Sequence, residues 1–391
     1  MTRIEDLRHD TPGCDFVLHL DHAGSSLPPE PVLQAQLAHL ALEARLGGYR
    51  AADAVRDRLD DSYDAVAELL GCGPDEVAMV DSATRAWQLL FAGLGLGAGD
   101  RVLCTRTEYA SNHLAFLQLA ERTGAVVVPI DADADGAVDL HQLQTELARG
   151  AAVMSLTHVP TNGGLVHPAA EVGALTRAAG VPLLLDACQS AGQIDLRTVP
   201  WDLLSATGRK YLRGPRGTGF LAVRRPLLDR ITAHSWLDLY GAEWTGPSAY
   251  TVRDDARRLE LWERSVAGQL GLGAAVRYAL GCGLPWLEAR IATMAASLRA
   301  RLADEAGVTV HDRGATKCGI VTFTVDGEAP RALRDRLRRD DIHVSVSSAS
   351  STRLDMDDRG LSQLVRASVH ALTTDDELER FVRAVVVPPR P

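Results

Sequence analysis

Lys210 is one of only two lysines in a chain of 391 residues, so almost all of its 41 basic side chains are arginine. An arginine stays protonated at any ordinary pH, whereas a lysine in a suitable pocket can lose its proton. A neutral lysine can attack a carbonyl and form a Schiff base. Lys210 sits in Ser205-Ala206-Thr207-Gly208-Arg209-Lys210-Tyr211-Leu212-Arg213-Gly214-Pro215-Arg216-Gly217. The other lysine, Lys317, precedes the apolar run Ile320-Val321-Thr322-Phe323 and reads as a strand edge. A chain with few lysines must place them somewhere, so Lys210 does not settle the chemistry alone.

Four further positions carry chemical types that suit such a lysine. Asp186 closes the apolar run Val181-Pro182-Leu183-Leu184-Leu185, and an acid leaving a buried strand is costly unless it is paired. A protonated pyridine nitrogen is one such partner, and Gln189, three residues on, can hydrogen-bond a ring oxygen. The alternative is an Asp that caps a short helix at 187–191. Ser82-Ala83-Thr84 follows an apolar run and opens a helix, where backbone N–H groups and a hydroxyl suit a phosphate; plain N-capping explains the same residues. Arg209 can add positive charge to that phosphate. Tyr109 can stack on a ring or pack in the core. Arg366 interrupts an apolar strand and suits a carboxylate, or else faces solvent from a sheet edge.

The elements that must position these residues alternate in type. Strands are expected at 15–20, 77–80, 101–104, 125–130, 152–157 and 181–186, with helices at 28–49 and 51–70 and others starting at 84, 111 and 169. This rhythm predicts a mainly parallel sheet with helices on both faces, with ligands bound beyond the carboxyl ends of its strands. From 285 to 306, Leu287, Ile291, Met294, Leu298 and Leu302 recur at helical spacing, and Gly307 stops the helix. Strands at 308–311, 319–325, 342–347 and 364–368, with helices at 329–339 and from 374, then form a smaller α+β unit. The expected division is an N-terminal segment 1–24 that packs with the small domain, a large domain 25–265 and a small domain 266–391.

Composition excludes other classes. A net charge of −10 with no basic block argues against nucleic-acid binding. No run is long enough to span a membrane, and Met1-Thr2-Arg3-Ile4-Glu5-Asp6 is no apolar leader, which predicts a cytoplasmic protein. Six cysteines are scattered without metal-like pairing, so no metal site is expected.

Taken together, the order and spacing resemble the class V aminotransferase family, the pyridoxal 5′-phosphate (PLP) enzymes of fold type I that include cysteine desulfurases and selenocysteine lyases. The resemblance runs from His19-Leu20-Asp21-His22-Ala23-Gly24 to Arg366-Ala367-Ser368. It implies a large α/β domain on a seven-stranded, mainly parallel sheet, with a smaller α+β domain. It assigns Lys210 to the Schiff base, Asp186 to the pyridine nitrogen and Gln189 to the ring oxygen. Tyr109 would stack on the ring. Ala83, Thr84, Thr207 and Arg209 would lie on the phosphate side, and Thr161 beside the cofactor. Arg366, Asn162 and His22 would face substrate, and a homodimer is implied.

Glu43-Ala44-Arg45-Leu46-Gly47-Gly48-Tyr49, Arg209-Lys210-Tyr211 and Gly214-Pro215-Arg216-Gly217 look like the branch that holds hercynylcysteine sulfoxide lyases, with the isopenicillin N epimerase-like group nearby. Two departures matter. The segment Val344–Arg353 has no cysteine, where desulfurases carry a persulfide-forming one. Arg258–Arg264 lacks the Gly-Thr pair by which many relatives give a phosphate contact to the partner subunit.

The expected activity is β-elimination from an S-substituted cysteine or its sulfoxide, releasing pyruvate, ammonia and a thiol or sulfenate, with no protein thiol required. Transamination, epimerisation or decarboxylation of a secondary-metabolite amino acid uses the same residues, and a catalytically inactive binding protein is the alternative of another class. Substrate-lining residues are expected from 232–256.

Overall fold

The computed structural model describes residues 3–231 and 237–386; part of the expected substrate loop, 232–236, lies outside the described residues. Seven strands form the main sheet: β1 (Val77–Val80), β2 (Arg101–Thr105), β3 (Val126–Ile130), β4 (Val153–Thr157), β5 (Leu183–Asp186), β6 (Leu203–Thr207) and β7 (Gly219–Val223). Their spatial order is β1-β7-β6-β5-β4-β2-β3. Every neighbour pair is parallel except those of β7, which runs against both β1 and β6. β4 to β7 are buried along their whole length, as strands covered on both faces must be.

The β-then-α rhythm predicts β1 to β5 within a residue or two. It misses β6 and β7 because no helix separates them. The chain leaves β6, makes the Gly208–Thr218 loop that carries Lys210, and returns antiparallel as β7. Gly219 starts β7 where space is short: a Cβ there would stand 2.7 Å from Ala206 O and 2.9 Å from Ser82 C. β7 is thereby pressed against the turn that opens the helix Ala83–Gly93.

A second sheet lies in the C-terminal third: β8 (Val308–Val310), β9 (Ile320–Val325), β10 (Ser345–Ser348) and β11 (Gln363–Ser368), antiparallel in the order β8-β9-β11-β10. The expected strand at 342–347 is two pieces, Ile342–His343 and β10. Ile342–His343 pairs in parallel with Leu18–His19, all that forms of the strand expected at 15–20. Asp21 then bridges Ser368.

The helix Glu30–Leu46 ends at Gly47, whose φ of 79° suits glycine. The helix expected at 51–70 begins at Arg56, after a separate short helix Gly48–Asp53. The sequence pattern does not reveal Leu140–Ala148 or Val266–Cys282, nor the hairpin Ala242–Gly246 with Ala249–Val252. Among the described residues, no helix is long and apolar enough to cross a membrane.

Candidate active site

The segments that leave the carboxyl ends of β1, β2, β4, β5 and β6 wall one cavity of about 260 Å³. Ala83, Thr84, Tyr109, Thr161, Asp186, Gln189, Thr207, Arg209 and Lys210 all line it, although 127 positions separate the first from the last.

Asp186 ends β5 and is buried. Its Oδ1 accepts from the Cys188 N–H at 2.9 Å, and its Oδ2 accepts from Asn112 Nδ2 at 2.9 Å. Burial raises its pKa; Asn112, the Cys188 amide and Lys210 pull the other way. Lys210 is held in the opposite sense. Burial lowers the pKa of its ammonium, and the neighbouring Arg209 and Arg366 lower it further, while Cys188 opposes them. The amine is therefore biased toward its neutral, nucleophilic form.

At the other end of the cavity, Ser82 caps the helix Ala83–Gly93, its hydroxyl accepting from the Arg85 N–H at 3.2 Å. First-turn N–H groups lack helical partners and suit an anion. Thr207 ends β6, and its hydroxyl donates to Thr218 O at 3.1 Å. Arg209 donates through Nη1 to Gly24 O, which tethers it to the N-terminal segment while it lines the cavity. Arg216, a residue the sequence argument leaves aside, joins the same wall.

Gln189 is buried. Its Nε2 donates to Ala23 O at 3.1 Å and to Thr161 Oγ1 at 3.4 Å, and its Oε1 has no partner. Arg366, on β11, donates from Nη1 to Thr161 Oγ1 at 2.7 Å and from Nε to Ser345 Oγ at 3.0 Å. Its Nη2 pairs with Asp21 at 3.2 Å. The edge-strand alternative for Arg366 is excluded, since β11 lies between β9 and β10 and the side chain is mostly buried.

None of the three expected substrate contacts is among the residues that line the cavity: Arg366 stands beside it, bonded to Thr161 of its wall, and the other two face elsewhere. His22 is fully buried and does not line the cavity; its ring packs 4.8 Å from that of His19 and 5.0 Å from that of His370, and Nδ1 bonds Ser26 Oγ at 2.8 Å. The turn that sends Asp21 toward Arg366 sends His22 inward. Asn162 donates to Ser348 O and Thr352 Oγ1, both at 2.9 Å, and so ties the loop after β4 to the one after β10 instead of facing Lys210.

Sequence reasoning also passes over Asn112, Thr157 and Cys188, which line the cavity, and Glu108, which lies behind Asn112. Glu108 and Asn112 sit in the quoted segment around Tyr109, but their significance rests on contacts with β4 and β5. Among the described residues no cluster of side chains could hold a metal ion.

Comparison with known proteins places this geometry. A family model described as "Aminotransferase class-V" matches residues 18–381. A protein of Mycobacterium tuberculosis described as a "Probable hercynylcysteine sulfoxide lyase" is 33% identical over 94% of this chain and 89% of its own. A "Probable cysteine desulfurase" of Pyrococcus abyssi is 26% identical over 97% of this chain and 96% of its own. The apo structure of the cysteine desulfurase from Thermococcus onnurineus NA1 superposes with a TM-score of 0.91 at 26% identity, covering 98% of this chain and 97% of that one.

The chain belongs to the class V aminotransferase family, and its cofactor is pyridoxal 5′-phosphate. Within that family it is an enzyme of the cysteine desulfurase and C–S lyase type. The residues present fit the cofactor. One cavity holds an amine biased to neutrality, a buried acid, a helix N-terminus and a buried amide oxygen without a partner.

Proposed function

We propose that the protein is a C–S lyase that cleaves an S-substituted cysteine or cysteine sulfoxide by β-elimination, the three-carbon fragment then being hydrolysed by one water, yielding pyruvate, ammonia and a thiol or sulfenate. The observation that carries this reading is where the thiols lie. Val344–Arg353 contains none; Cys318 is buried on the approach to β9, with burial pushing its pKa up to about 11; and Cys188, the thiol in the cavity wall, sits directly after β5 instead of on that loop, with burial raising its pKa too. Transfer of sulfur to a loop cysteine has no acceptor in that segment, whereas β-elimination needs none. The 33% identity to the M. tuberculosis relative supports the same choice.

In this reading Asp186 and Gln189 hold the ring of the cofactor, Lys210 its aldehyde carbon, and Ala83, Thr84, Thr207 and Arg209 its phosphate. When bound, the cofactor supplies an electron-withdrawing ring for chemistry at the substrate Cα. The protein's part is to orient and to move a proton. Arg366 takes the substrate carboxylate in its planar fork and so fixes which Cα bond stands ready to break. Lys210, freed when the substrate amine takes its place and biased to the neutral amine, would accept the Cα proton. Asp186, whose two oxygens accept from Asn112 and the Cys188 N–H against the upward pull of burial, would pair with the ring nitrogen. A homodimer completes the proposal. Leu33, Leu37 and Leu40 stand 38–51% exposed along one side of the helix Glu30–Leu46, and Tyr49, Trp244 and Tyr250 are more exposed still.

A panel of S-substituted cysteines and their sulfoxides, assayed for pyruvate, tests the activity. Release of pyruvate without a keto-acid acceptor, lowered by about 10²-fold or more in Lys210→Ala, is the expected result. A requirement for a keto acid would move the assignment to transamination. Full activity in Lys210→Ala would remove Lys210 from the mechanism.

A further inference from the structure

Behind the cavity lies a second buried acid to which the mechanism above gives no task. Glu108, on the loop after β2, is 3% exposed. Four donors converge on its carboxyl group. Oε1 accepts from the Tyr109 N–H at 2.9 Å, from Asn112 Nδ2 at 2.9 Å and from the Thr157 hydroxyl; Oε2 accepts from Ser155 Oγ at 3.1 Å. Ser155 and Thr157 are alternate residues of β4 and so share one face of a strand whose other members, Val153, Met154 and Leu156, are apolar. Two buried hydroxyls on one face of a core strand are costly unless they are bonded, and Glu108 is what they bond.

We propose that Glu108 is a positioning residue that acts through Asn112 to keep Asp186 an acceptor, and thereby selects a cofactor ring that carries N–H. A carboxylate surrounded by donors can only accept. Asn112 must therefore turn its NH₂ group, not its oxygen, toward Glu108. That NH₂ has two protons. One goes to Glu108 Oε1, and the other to Asp186 Oδ2 at 2.9 Å.

If the amide were turned over, its oxygen would face two carboxyl groups. Glu108 thus fixes the orientation of Asn112, and Asn112 passes a donor to Asp186. The Cys188 N–H supplies another donor to Oδ1. Asp186 is left with acceptor lone pairs toward the cavity, which match a protonated ring nitrogen and repel an unprotonated one. Burial raises the pKa of Glu108, and the Thr157 hydroxyl, Asn112 and the Tyr109 N–H, all donors to its carboxyl group, pull the other way and favour its acceptor form. This inference rests on the assignment of pyridoxal 5′-phosphate as the cofactor.

The test is binding of pyridoxal 5′-phosphate to resolved apoenzyme, measured by equilibrium dialysis. The comparison ligand is the analogue with carbon in place of the ring nitrogen. Glu108→Gln keeps the shape of the side chain and removes its acceptor-only character. The expected result is affinity for pyridoxal 5′-phosphate weaker by about tenfold or more, the scale of one charge-assisted hydrogen bond, with affinity for the analogue changed less than about twofold. Asn112→Leu is expected to weaken binding likewise, and adding Glu108→Gln to it to cost nothing further, because the two act in series.

Unchanged affinity in Glu108→Gln, or equal losses for both ligands, would overturn the proposal. If Glu108→Gln does not fold, Thr157→Val, which removes one donor from Glu108, must show a smaller loss of the same selectivity, and an unselective Thr157→Val counts against the proposal equally. Wild-type protein that binds neither ligand would instead refute the cofactor assignment.

Discussion

Arg366 already has a carboxylate before any substrate arrives. Its fork spans Asp21, Thr161 and Ser345, so a substrate carboxylate must share it with Asp21 or displace that side chain. The site is preorganised by an internal stand-in, which fixes the planar group in place. Arg366→Lys keeps the charge but loses the fork. KM for the amino-acid substrate should rise about tenfold, the scale of one charge-assisted hydrogen bond, with a smaller effect on kcat. Steady-state kinetics on the best substrate of the panel checks this, and an unchanged KM would place the carboxylate elsewhere. What the sequence reveals at this scale is residues that announce themselves locally. Asp186 terminates an apolar run, Ser82–Thr84 opens a helix, and Lys210 is rare. Glu108 and Asn112 are silent because their meaning lies in Ser155, Thr157 and Asp186, which are 43 to 78 positions away in sequence. His22 misleads for the opposite reason: it neighbours Asp21, but adjacent residues need not face the same way.

At the scale of elements, alternation of strand and helix is legible wherever a helix intervenes, and it fails at β6 and β7, where the chain doubles back without one. That reversal is also what sets Lys210 in the middle of the cavity. Other elements have apolar faces that the fold of one chain leaves uncovered. On the helix Glu30–Leu46, Leu33, Leu37 and Leu40 recur at spacings of four and three and therefore lie on one side. Leu37→Glu places a charge in the middle of that row without touching the core. Light scattering should show the wild-type protein as a dimer, and Leu37→Glu shifted toward monomer at micromolar concentration. A wild-type protein monomeric under the same conditions would overturn the dimer, and an unaffected dimer in the variant would move the interface off this helix.

For the whole molecule, the buried histidines tie stability to pH. Burial holds His158 at a pKa of about 4 and His167 and His370 at about 3, and lowers His19 and His22 as well. His167 illustrates why. Its Nδ1 accepts from the Val138 N–H at 3.1 Å, so Nε2 carries the single proton, which it shares with Thr107 Oγ1 at 2.7 Å. A second proton would break the first bond. In the unfolded chain these rings titrate near ~6.5. The unfolded state therefore gains protons first, and this stability is fully present above about pH 6.5 and lost as pH falls toward 4 and then 3. Glu260, pushed up to about 7, and the raised Glu108 and Asp186 act in the reverse sense. With the half-buried His113 and His311, also lowered by burial, seven histidines stand against three carboxyl groups, one of them paired once the cofactor binds, and predict that Tm falls as the holoenzyme is taken from pH 7.5 to 5. A rise in Tm over that range would show that the carboxyl groups dominate.

The short stretch 18–26 has a consequence for how the chain is made. Leu18 and His19 pair with Ile342 and His343, Asp21 meets Arg366 and bridges Ser368, Ala23 O receives Gln189, and Gly24 O and the Ser26 N–H engage Arg209. These residues leave the ribosome more than 300 residues ahead of Ile342, His343, Arg366 and Ser368. The large sheet can assemble during translation, but the corner around Arg366 cannot close until Arg366 and Ser368 have emerged, and closing it joins positions more than 300 residues apart. Until then the nascent chain holds Lys210 without Arg366, a reactive amine with nothing yet in place to choose what it meets.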